Sequence, residues 1–297
     1  MKQTIGFIGQ GWIGKHYADD FEHRGYEVVR YSLEEPYIKN KEKLSACTII
    51  FIAVPTPTTP TGFSYEPVRD SLKSVPEGAI AVIKSTILPG TTKMLQEEFP
   101  NIFVMHSPEF LREASAAYDA SHPDRNIIGV PVLNDEYTRR AKQVLAVLPK
   151  ANFEAVMNSL EAEMVKYVGN CFLYSKVVMM NTFYDMVSKA GANWDVVREA
   201  MVKDPRIGES HTNPVHNSGH DTSNKKDQRG AGGHCFIKDF ESFRQFQREI
   251  VGNDLADQML TAMINYNNHL LIDSSKDIDL LEGVYGGEVV SKSELVK

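Results

Sequence analysis

The sequence has few cysteines and no long apolar run, and each shortage excludes a class of protein. Its three cysteines, Cys47, Cys171 and Cys235, are too few for a disulfide framework. No stretch is apolar enough to span a membrane, and the first residues lack the basic region and apolar run of a signal peptide. We therefore expect a cytoplasmic protein with reduced thiols.

Basic residues are also in short supply, because 32 lysines and arginines face 39 aspartates and glutamates, for a net charge of −7. A net acidic surface does not attract nucleic acid or an anionic membrane, so neither is expected as a partner. A small anionic substrate stays open, since it needs only a local basic pocket. The length of 297 residues suggests about two domains.

Short apolar runs alternate with helix-permissive segments in the first half of the chain. This alternation is typical of an α/β fold with a mostly parallel sheet and helices on both faces. After about residue 153 the pattern becomes helical, which predicts an all-helical domain over residues 154–297 with a long central helix and a partly ordered tail. The predicted strands are 4–8, 27–31, 48–54, 79–84, 102–105 and 126–130, and the predicted helices are 15–24, 65–75, 90–98, 109–120, 135–148, 159–189, 193–203, 236–249 and 254–271.

A G-x-G-x-x-G pattern, formed by Gly9, Gly11 and Gly14, lies between the first predicted strand and the first predicted helix. The first glycine permits a tight turn, the second lets a pyrophosphate approach the backbone, and the third lets the helix pack closely on the strand. The helix N-terminus adds NH groups and partial positive charge. Residues 1–153 are therefore predicted to form a Rossmann-type dinucleotide-binding domain.

The end of the second predicted strand leaves the choice of dinucleotide open. Such domains usually carry an acidic residue there that holds the ribose hydroxyls of NAD, but this chain has Ser32. A small hydroxyl near Arg30 can instead suit the 2′-phosphate of NADP. From these residues alone, both NAD and NADP stay possible.

The strongest local signal is the stretch GAGGHCFIKD at residues 230–239, in which a glycine-rich turn presents Cys235. A cysteine thiolate can attack an aldehyde, and the resulting thiohemiacetal can be oxidised to a thioester. A nearby cation and a helix N-terminus would lower the pKa of the thiol. Cys235 is therefore predicted to be a nucleophile, whereas Cys47 and Cys171 are predicted to be buried and inert.

Two further pairs of polar residues have spacings that would suit catalytic groups. Lys166 and Asn170 are four positions apart, so they share one face of the long helix and can stabilise an oxyanion, although a solvated helix face has the same spacing. Glu109 and Glu113 follow the fifth predicted strand, at the start of a predicted helix. These carboxylates can act as bases or complement the helix dipole.

These motifs together resemble the UDP-glucose/GDP-mannose dehydrogenase family, the nucleotide-sugar 6-dehydrogenases. The resemblance runs from residue 4 to about residue 270 and rests, in order, on IGFIGQGWIG, FIAVPTPT, KSTILPGTT, SPEFLREASAAYDASHPDRNIIG, EAEMVKYVGNCFLYSKVVMMNT, KDPRIG and GAGGHCFIKD. It implies NAD as the cofactor, with NADP not excluded. It also implies a two-step oxidation of a nucleotide-sugar primary alcohol to the carboxylate, with UDP-glucose as the leading substrate and UDP-N-acetylhexosamines still open.

The resemblance further implies a role for each matching residue. Cys235 would carry the thiohemiacetal and thioester, and Lys166 and Asn170 would stabilise oxyanions. Asp239 would help to manage the alcohol proton through water, and Glu109, with Glu113 nearby, would assist thioester hydrolysis. The implied cofactor contacts are Gly9, Gly11, Trp12, Ile13, Gly14, Ser32, Val54, Pro55, Thr56, Thr86 and Glu113, of which Thr86 would also serve catalysis. The implied substrate contacts are Glu109, Phe110, Leu111, Lys166, Asn170, Arg206 and Gly232.

The resemblance also implies a homodimer formed through the long helix, with Arg206 reaching the partner's site. The chain departs from the family pattern in three ways: the third, C-terminal nucleotide-binding domain is expected to be absent, Ser32 replaces an acidic residue, and residues 214–229 look like an insertion. That segment and its neighbourhood contain His211, His216, His220 and Asp221. We interpret it as a polar loop and predict no metal, because the spacing matches no tight ligand pattern.

Two other functions stay open at this point. One is a single-step β-hydroxyacid-type dehydrogenase, which shares the two-domain plan and a Lys-x-x-x-Asn helix motif, although a single oxidation needs no nucleophile such as Cys235. The other is a non-catalytic relative that binds nucleotide. Retention of Cys235, Lys166, Asn170, Asp239 and Glu109 together argues against it.

Overall fold

The computed structural model describes residues 3–112, 115–217 and 227–293. Contacts between residues divide the chain into two units. We call Met1–Thr56 with Ser64–Lys166 the sheet unit, and Pro57–Phe63 with Tyr167–Lys297 the helical unit. None of the described helices is both long enough and apolar enough to cross a membrane.

The sheet unit alternates strands with helices. Its strands are β1 (Thr4–Ile8), β2 (Glu27–Tyr31), β3 (Ile49–Ile52), β6 (Ile80–Ile83), β7 (Phe103–His106), β8 (Arg125–Val130) and β9 (Phe153–Asn158). The short strands β4 (Thr58–Thr59) and β5 (Gly62–Phe63) belong to the helical unit. Its helices are α1 (Trp12–His23), a 3-10 helix (Ile38–Ala46), α2 (Glu66–Leu72), α3 (Thr91–Glu98), α4 (Ala116–Ser121), α5 (Asp135–Val147) and the first turns of α6 (Ser159–Lys189).

The seven long strands form one sheet in the order β2-β1-β3-β6-β7-β8-β9. Every neighbouring pair is parallel except β7 and β8, so the prediction of a mostly parallel Rossmann-type sheet is confirmed. The chain leaves β1 for β2 on one side and returns to β3 on the other side. In open parallel sheets, such a change of direction opens a crevice at the carboxyl ends of the strands, where ligands bind.

Aromatic rings fill the core of this sheet. Phe7 of β1 stacks on Phe51 of β3 with ring centroids 5.1 Å apart, and its ring edge meets Phe21 of α1 at 5.3 Å. All three rings are buried. The glycine turn after β1 is therefore built on a rigid, close-packed base, as a phosphate-binding turn needs to be.

The helix predicted over residues 109–120 is wrong in its first half, because α4 begins only at Ala116. Side-chain carboxylates take the NH groups that a helix would use: Glu109 Oε2 accepts from Leu111 N at 2.9 Å, and Asp119 Oδ2 accepts from Arg112 N at 2.8 Å. Local bonds of this kind compete with helix formation. Glu109 therefore does not lie at a helix start, and Glu113 lies outside the described residues.

The sequence analysis also missed β9, which extends the sheet through parallel pairing with β8. This strand is at the sheet edge and is only half-buried, so it lacks the apolar run that marks the other strands. The boundary expected between residues 153 and 154 falls inside β9, while the contacts group the chain as far as Lys166 with the sheet.

The helical unit is built from the rest of α6 together with α7 (Trp194–Met201), α8 (Gly233–Ile250), α9 (Asp254–Asp273), α10 (Ile278–Tyr285) and α11 (Glu288–Ser293). Tyr174 of α6 stacks on Phe240 of α8 with ring centroids 3.9 Å apart. The hairpin formed by β4 and β5 joins this unit, because Thr58 Oγ1 lies 2.7 Å from Ser242 Oγ of α8. The long α6 helix matches its predicted span of 159–189.

The weak local pattern predicts a partly ordered tail, and the described part of this tail contains the helices α10 and α11. Leu281 and Val284 of α10 are buried against Ile237 of α8 and Leu271 of α9. Long-range packing, rather than the local pattern, therefore determines this region.

Candidate functional site

The glycine turn after β1 has the tight geometry of a phosphate-binding turn. Gly9 has a φ of +91°, and a Cβ added there would lie 2.2 Å from Ala53 O, just after β3. A Cβ added to Gly14 would lie 2.0 Å from Gly9 O, so the helix packs directly on the turn. Both positions therefore require glycine.

The N-terminus of α1 fits an anionic group. Its N-cap residue, Gly11, has no side chain that could cap the first NH groups, and a Cβ at Gly11 would meet no atom within 4 Å. The first turn of α1 contains no acidic residue, and Trp12 and Ile13 begin the helix there. Backbone NH groups and the positive end of the helix dipole are thus presented to open space, as a dinucleotide pyrophosphate requires.

The end of β2 does not present Arg30 as a phosphate-binding residue. The Arg30 guanidinium is buried and donates to Glu22 Oε2 at 2.7 Å and to Asp19 Oδ1 at 2.6 Å, both on α1. Two carboxylates already neutralise this cation. Ser32, by contrast, is half-buried, and its hydroxyl bonds the backbone of Glu34.

Backbone and hydroxyl groups link the carboxyl ends of β3 and β6. Val54 N donates to Ser85 Oγ at 2.9 Å, and Thr56 Oγ1 donates to Thr86 O at 2.7 Å. Thr56 and Thr86 are buried, whereas Pro55 is exposed. The structure thus brings together the predicted cofactor residues Val54, Thr56 and Thr86 at the edge of the sheet where ligands bind.

A buried ion pair joins Lys166 of α6 to Glu109. The Lys166 ammonium donates to Glu109 Oε1 at 2.7 Å and to Glu109 O at 2.8 Å, and both side chains are almost fully buried. Burial by itself would raise the pKa of Glu109, but Lys166, the Leu111 NH and Lys84 together hold it below its ordinary value. Glu109 is therefore an ionised carboxylate, competent to act as a base.

Lys84, which the sequence analysis missed, belongs to the same cluster. Its ammonium is buried at the end of β6, 3.2 Å from Ser107 Oγ and 4.5 Å from the centroid of the Tyr17 ring. Burial lowers its pKa to about 7, although Glu109 opposes the shift. Lys84 and Ser107 are part of the KST and SPE motifs. Neither motif indicates by itself that these two side chains meet in a buried cluster.

In the helical unit, Cys235 lies in the first turn of α8, directly after a turn that we call the cysteine turn, residues 230–233. Cys235 is half-buried, whereas Cys47 and Cys171 are buried. Burial raises the pKa of Cys47 to about 11 and also raises that of Cys171. Cys235 is therefore the accessible thiol, at the positive end of a helix dipole that favours a thiolate.

Asp239 lies one helical turn after Cys235 and connects α8 to α6. Its buried carboxylate accepts from Asn170 Nδ2 at 2.7 Å and from Lys238 Nζ at 2.5 Å. Asn170 follows Lys166 by one turn of the same helix, as predicted. Within the helical unit, the structure thus brings together Cys235, Asp239 and Asn170 on adjoining helices.

The remaining predicted residues are more dispersed. Arg206 is exposed and pairs with Asp204 at 2.6 Å, and Phe110 stacks under the Arg125 guanidinium at 3.7 Å. The Leu111 NH is already used by Glu109. Among the residues that the structure describes, no group of three His, Cys, Asp or Glu could hold a metal ion; His220 and Asp221 lie outside that part of the chain.

A glycine turn on a parallel sheet, with an α helix that begins there, defines a dinucleotide-binding protein, and the second unit adds an accessible cysteine. Sequence profiles identify the family. The NAD binding domain of the UDP-glucose/GDP-mannose dehydrogenase family matches residues 35–146, and the central domain of the same family matches residues 160–269. The chain therefore belongs to the UDP-glucose/GDP-mannose dehydrogenase family.

Individual relatives agree with this assignment. UDP-glucose 6-dehydrogenase YwqF of Bacillus subtilis is 32% identical over 274 residues, which cover 86% of this chain and 56% of the relative. UDP-glucose 6-dehydrogenase of Rickettsia prowazekii is 30% identical over 240 residues, covering 76% of this chain and 52% of the relative. The chain thus spans little more than half the length of these relatives.

A solved structure gives the same fold. The UDP-glucose dehydrogenase of Pyrobaculum islandicum superposes with a TM-score of 0.76 at 25% identity, covering 97% of this chain and 72% of that one. The similarity therefore extends through both units of the chain.

Proposed function

We propose that this chain carries the cofactor-binding and catalytic parts of an NAD-dependent nucleotide-sugar 6-dehydrogenase, which oxidises a primary alcohol to a carboxylate in two steps. The observation that carries the proposal is Cys235, the accessible thiol in the first turn of α8, one turn before the buried Asp239. A single oxidation to a ketone or aldehyde would need no such thiol. Family membership supports UDP-glucose as the substrate and UDP-glucuronate as the product.

NAD fits the sheet unit better than NADP does. The uncapped N-terminus of α1 suits the pyrophosphate, while the Arg30 guanidinium is already paired with Asp19 and Glu22. A 2′-phosphate would therefore find no uncompensated cation at Arg30. NAD, when bound, accepts one hydride in each of the two oxidations.

The side chains of the chain then have distinct tasks. Asp239 would accept the alcohol proton through water, and Cys235 would add to the aldehyde to form a thiohemiacetal, whose oxidation gives a thioester. Lys166 and Asn170 would stabilise the oxyanions. Glu109, ionised and buried, would activate the water that breaks the C–S bond, which releases the carboxylate and restores the thiol. One alcohol, two NAD and one water thus give one carboxylate, two NADH and three protons.

The test is the stoichiometry of cofactor reduction with limiting UDP-glucose and excess NAD. Two NADH per sugar, with a carboxylate product, would support the proposal. One NADH per sugar would contradict the two-step reaction and favour a single-step enzyme. A panel of nucleotide sugars that all bind without reduction of NAD would favour a non-catalytic nucleotide-binding relative.

We further propose that the protein forms a homodimer through α6, with Arg206 reaching the partner's site. Val168, Phe172, Met179 and Met186 are all exposed along α6 at spacings of four and seven residues, which place them on one face. Phe172→Glu should convert a dimer into a monomer, as measured by light scattering after size exclusion. Val196→Glu, at an exposed position of α7, is the control, and an unchanged dimer in the Phe172 variant would contradict this arrangement.

A further inference from the structure

The cysteine turn has a backbone conformation that needs support from other parts of the chain. Gly230 has a φ of +88° and Gly233 a φ of +81°, both in the left-handed region that favours glycine. Glycine loses more conformational freedom on folding than any other residue. The turn has no large side chain of its own, so its geometry depends on the groups that contact it.

These contacts come from the end of α9 and from the loop after it. The Asn267 side chain accepts from Ala231 N at 2.7 Å and donates to Ala231 O at 3.0 Å. Lys276 Nζ donates to Gly230 O at 2.9 Å, and Asp277 Oδ2 accepts from Gly233 N at 2.6 Å. Three side chains thus bond three of the four residues of the cysteine turn.

The fourth residue, Gly232, is held by steric fit. A Cβ added there would lie 2.0 Å from Asp277 Oδ2 and 3.0 Å from Lys276 Cε. Any larger residue would push the carboxylate away from the turn. The need for glycine at this position therefore follows from the approach of Asp277, independently of any contact with substrate.

Burial makes these bonds strong and costly to lose. Asn267, Lys276 and Asp277 are 0%, 1% and 3% exposed. Hydrogen bonds to charged groups gain strength where water is excluded. Asp277 also has a φ of +52°, which is unfavourable for a residue other than glycine and persists only where its surroundings hold it.

Lys276 also bonds the segment that looked like an insertion. Its ammonium donates to His216 O at 3.3 Å and lies 3.1 Å from His216 Nε2, and His216 N in turn donates to Gln228 O at 2.8 Å. The described base of segment 214–229 and the cysteine turn are therefore bonded to the same buried lysine.

We propose that Asn267, Lys276 and Asp277 are positioning residues that fix the cysteine turn and, through it, the direction of the Cys235 thiol. This inference rests on the proposed role of Cys235 as nucleophile. The central-domain profile ends at residue 269, so Lys276 and Asp277 lie beyond the matched segment. The segment after α9 thus helps to position the nucleophile.

The decisive variant is Asp277→Leu, which keeps the branched shape and the number of side-chain heavy atoms but removes the acceptor for Gly233 N. Asp277→Asn keeps an oxygen that can accept this bond, and Glu282→Gln, at an exposed position of α10, is the matched control. Cys235 reactivity is measured as its alkylation rate by iodoacetamide, read by peptide mass spectrometry. Turnover with UDP-glucose and the KM for NAD are measured on the same preparations.

A misdirected nucleophile costs about 10- to 100-fold in rate, so we expect kcat of Asp277→Leu to fall by that factor. The KM for NAD should stay within about twofold, because the dinucleotide turn lies in the sheet unit. Asp277→Asn should recover most of the lost kcat. Alkylation of Cys235 should change at least about threefold in Asp277→Leu and stay unchanged in Glu282→Gln.

A folded Asp277→Leu protein with wild-type alkylation and wild-type kcat would overturn the proposal. If this variant does not fold, amide hydrogen exchange of the wild-type protein decides instead: slow exchange at Ala231 and Gly233 is expected, and fast exchange at both would overturn the proposal. Alkylation needs no turnover, so a wild-type protein that is inactive on every sugar tested would count against the proposed function alone.

Discussion

The ion pair in the sheet unit and the cysteine turn in the helical unit differ in burial and in charge. Lys166 and Glu109 are opposite charges removed from water, so each depends on the other for its stability. Cys235 is half-buried at the start of α8, and its position depends on the backbone of the cysteine turn that precedes it. Substitutions of the ion pair should therefore damage stability and turnover together, whereas substitution of the cysteine should damage turnover alone.

The sharpest test of this contrast is Cys235→Ser. We expect overall turnover to fall by at least about 1,000-fold, because serine is a far weaker nucleophile at neutral pH. The midpoint of urea unfolding and the affinity for NAD should not change. The matched control is Cys47→Ala, at a buried thiol of the sheet unit, which should retain turnover; normal turnover in Cys235→Ser would refute the covalent mechanism.

For Lys166→Met we expect a loss of both turnover and stability. Loss of one oxyanion donor should reduce kcat by about 100- to 1,000-fold. The free energy of unfolding should also fall by about 3–5 kcal/mol, because the buried Glu109 carboxylate loses its direct ion-pair partner. The Lys166→Met, Glu109→Leu double variant should recover much of that stability, as measured by urea unfolding. Purely additive losses would show that the stability of each residue does not depend on the other.

Sequence patterns captured the elements whose causes are local. The strands β1, β2, β3, β6, β7 and β8 and the long α6 helix followed from apolar runs and helical spacing, and the glycine turn followed from its motif. The short hairpin of β4 and β5 was not predicted. Segment 107–112 could not be predicted, because Glu109 and Asp119 take backbone NH groups through side-chain geometry. The edge strand β9 and the helices α10 and α11 depend on long-range packing that no local window contains.

The candidate site shows the same division. The motifs contained Cys235, Lys166, Asn170, Asp239 and Glu109, because reactive residue types in order are visible in a sequence. The partners of those residues were not visible. Asn267 and Asp277 are ordinary polar residues in sequence, and only folding brings them onto a turn tens of residues away.

The buried lysine Lys84 should make the stability of the protein depend on pH. Burial lowers the pKa of Lys84 to about 7, so between about pH 7 and 10 the unfolded chain holds a proton that the folded chain has released. The wild-type protein should therefore gain about 1–2 kcal/mol over Lys84→Met as the pH rises from about 7 to 9.

Urea unfolding at several pH values measures this difference. The control is Lys39→Met, because Lys39 is an exposed lysine of the same unit. A flat difference for Lys84→Met would show that Lys84 is charged throughout the range, and would remove it from the low-dielectric cluster.

The smallest effect is expected at Arg30. Because its guanidinium is paired with Asp19 and Glu22, Arg30→Gln should change the ratio of NAD to NADP affinities by less than about twofold. Both affinities can be measured by isothermal titration calorimetry. Selective weakening of NADP would instead show that Arg30 turns from α1 to bind a 2′-phosphate.

Peptide mapping can detect the covalent bond that Cys235 should form to the substrate carbon. Glu109→Gln protein, in which thioester hydrolysis should be slow, is mixed with NAD and UDP-glucose, quenched in acid and digested. A sugar-nucleotide adduct is expected on the Cys235 peptide and none on the Cys47 or Cys171 peptides. Carboxylate formation with two NADH per sugar, and no adduct on Cys235 at any quench time, would contradict it.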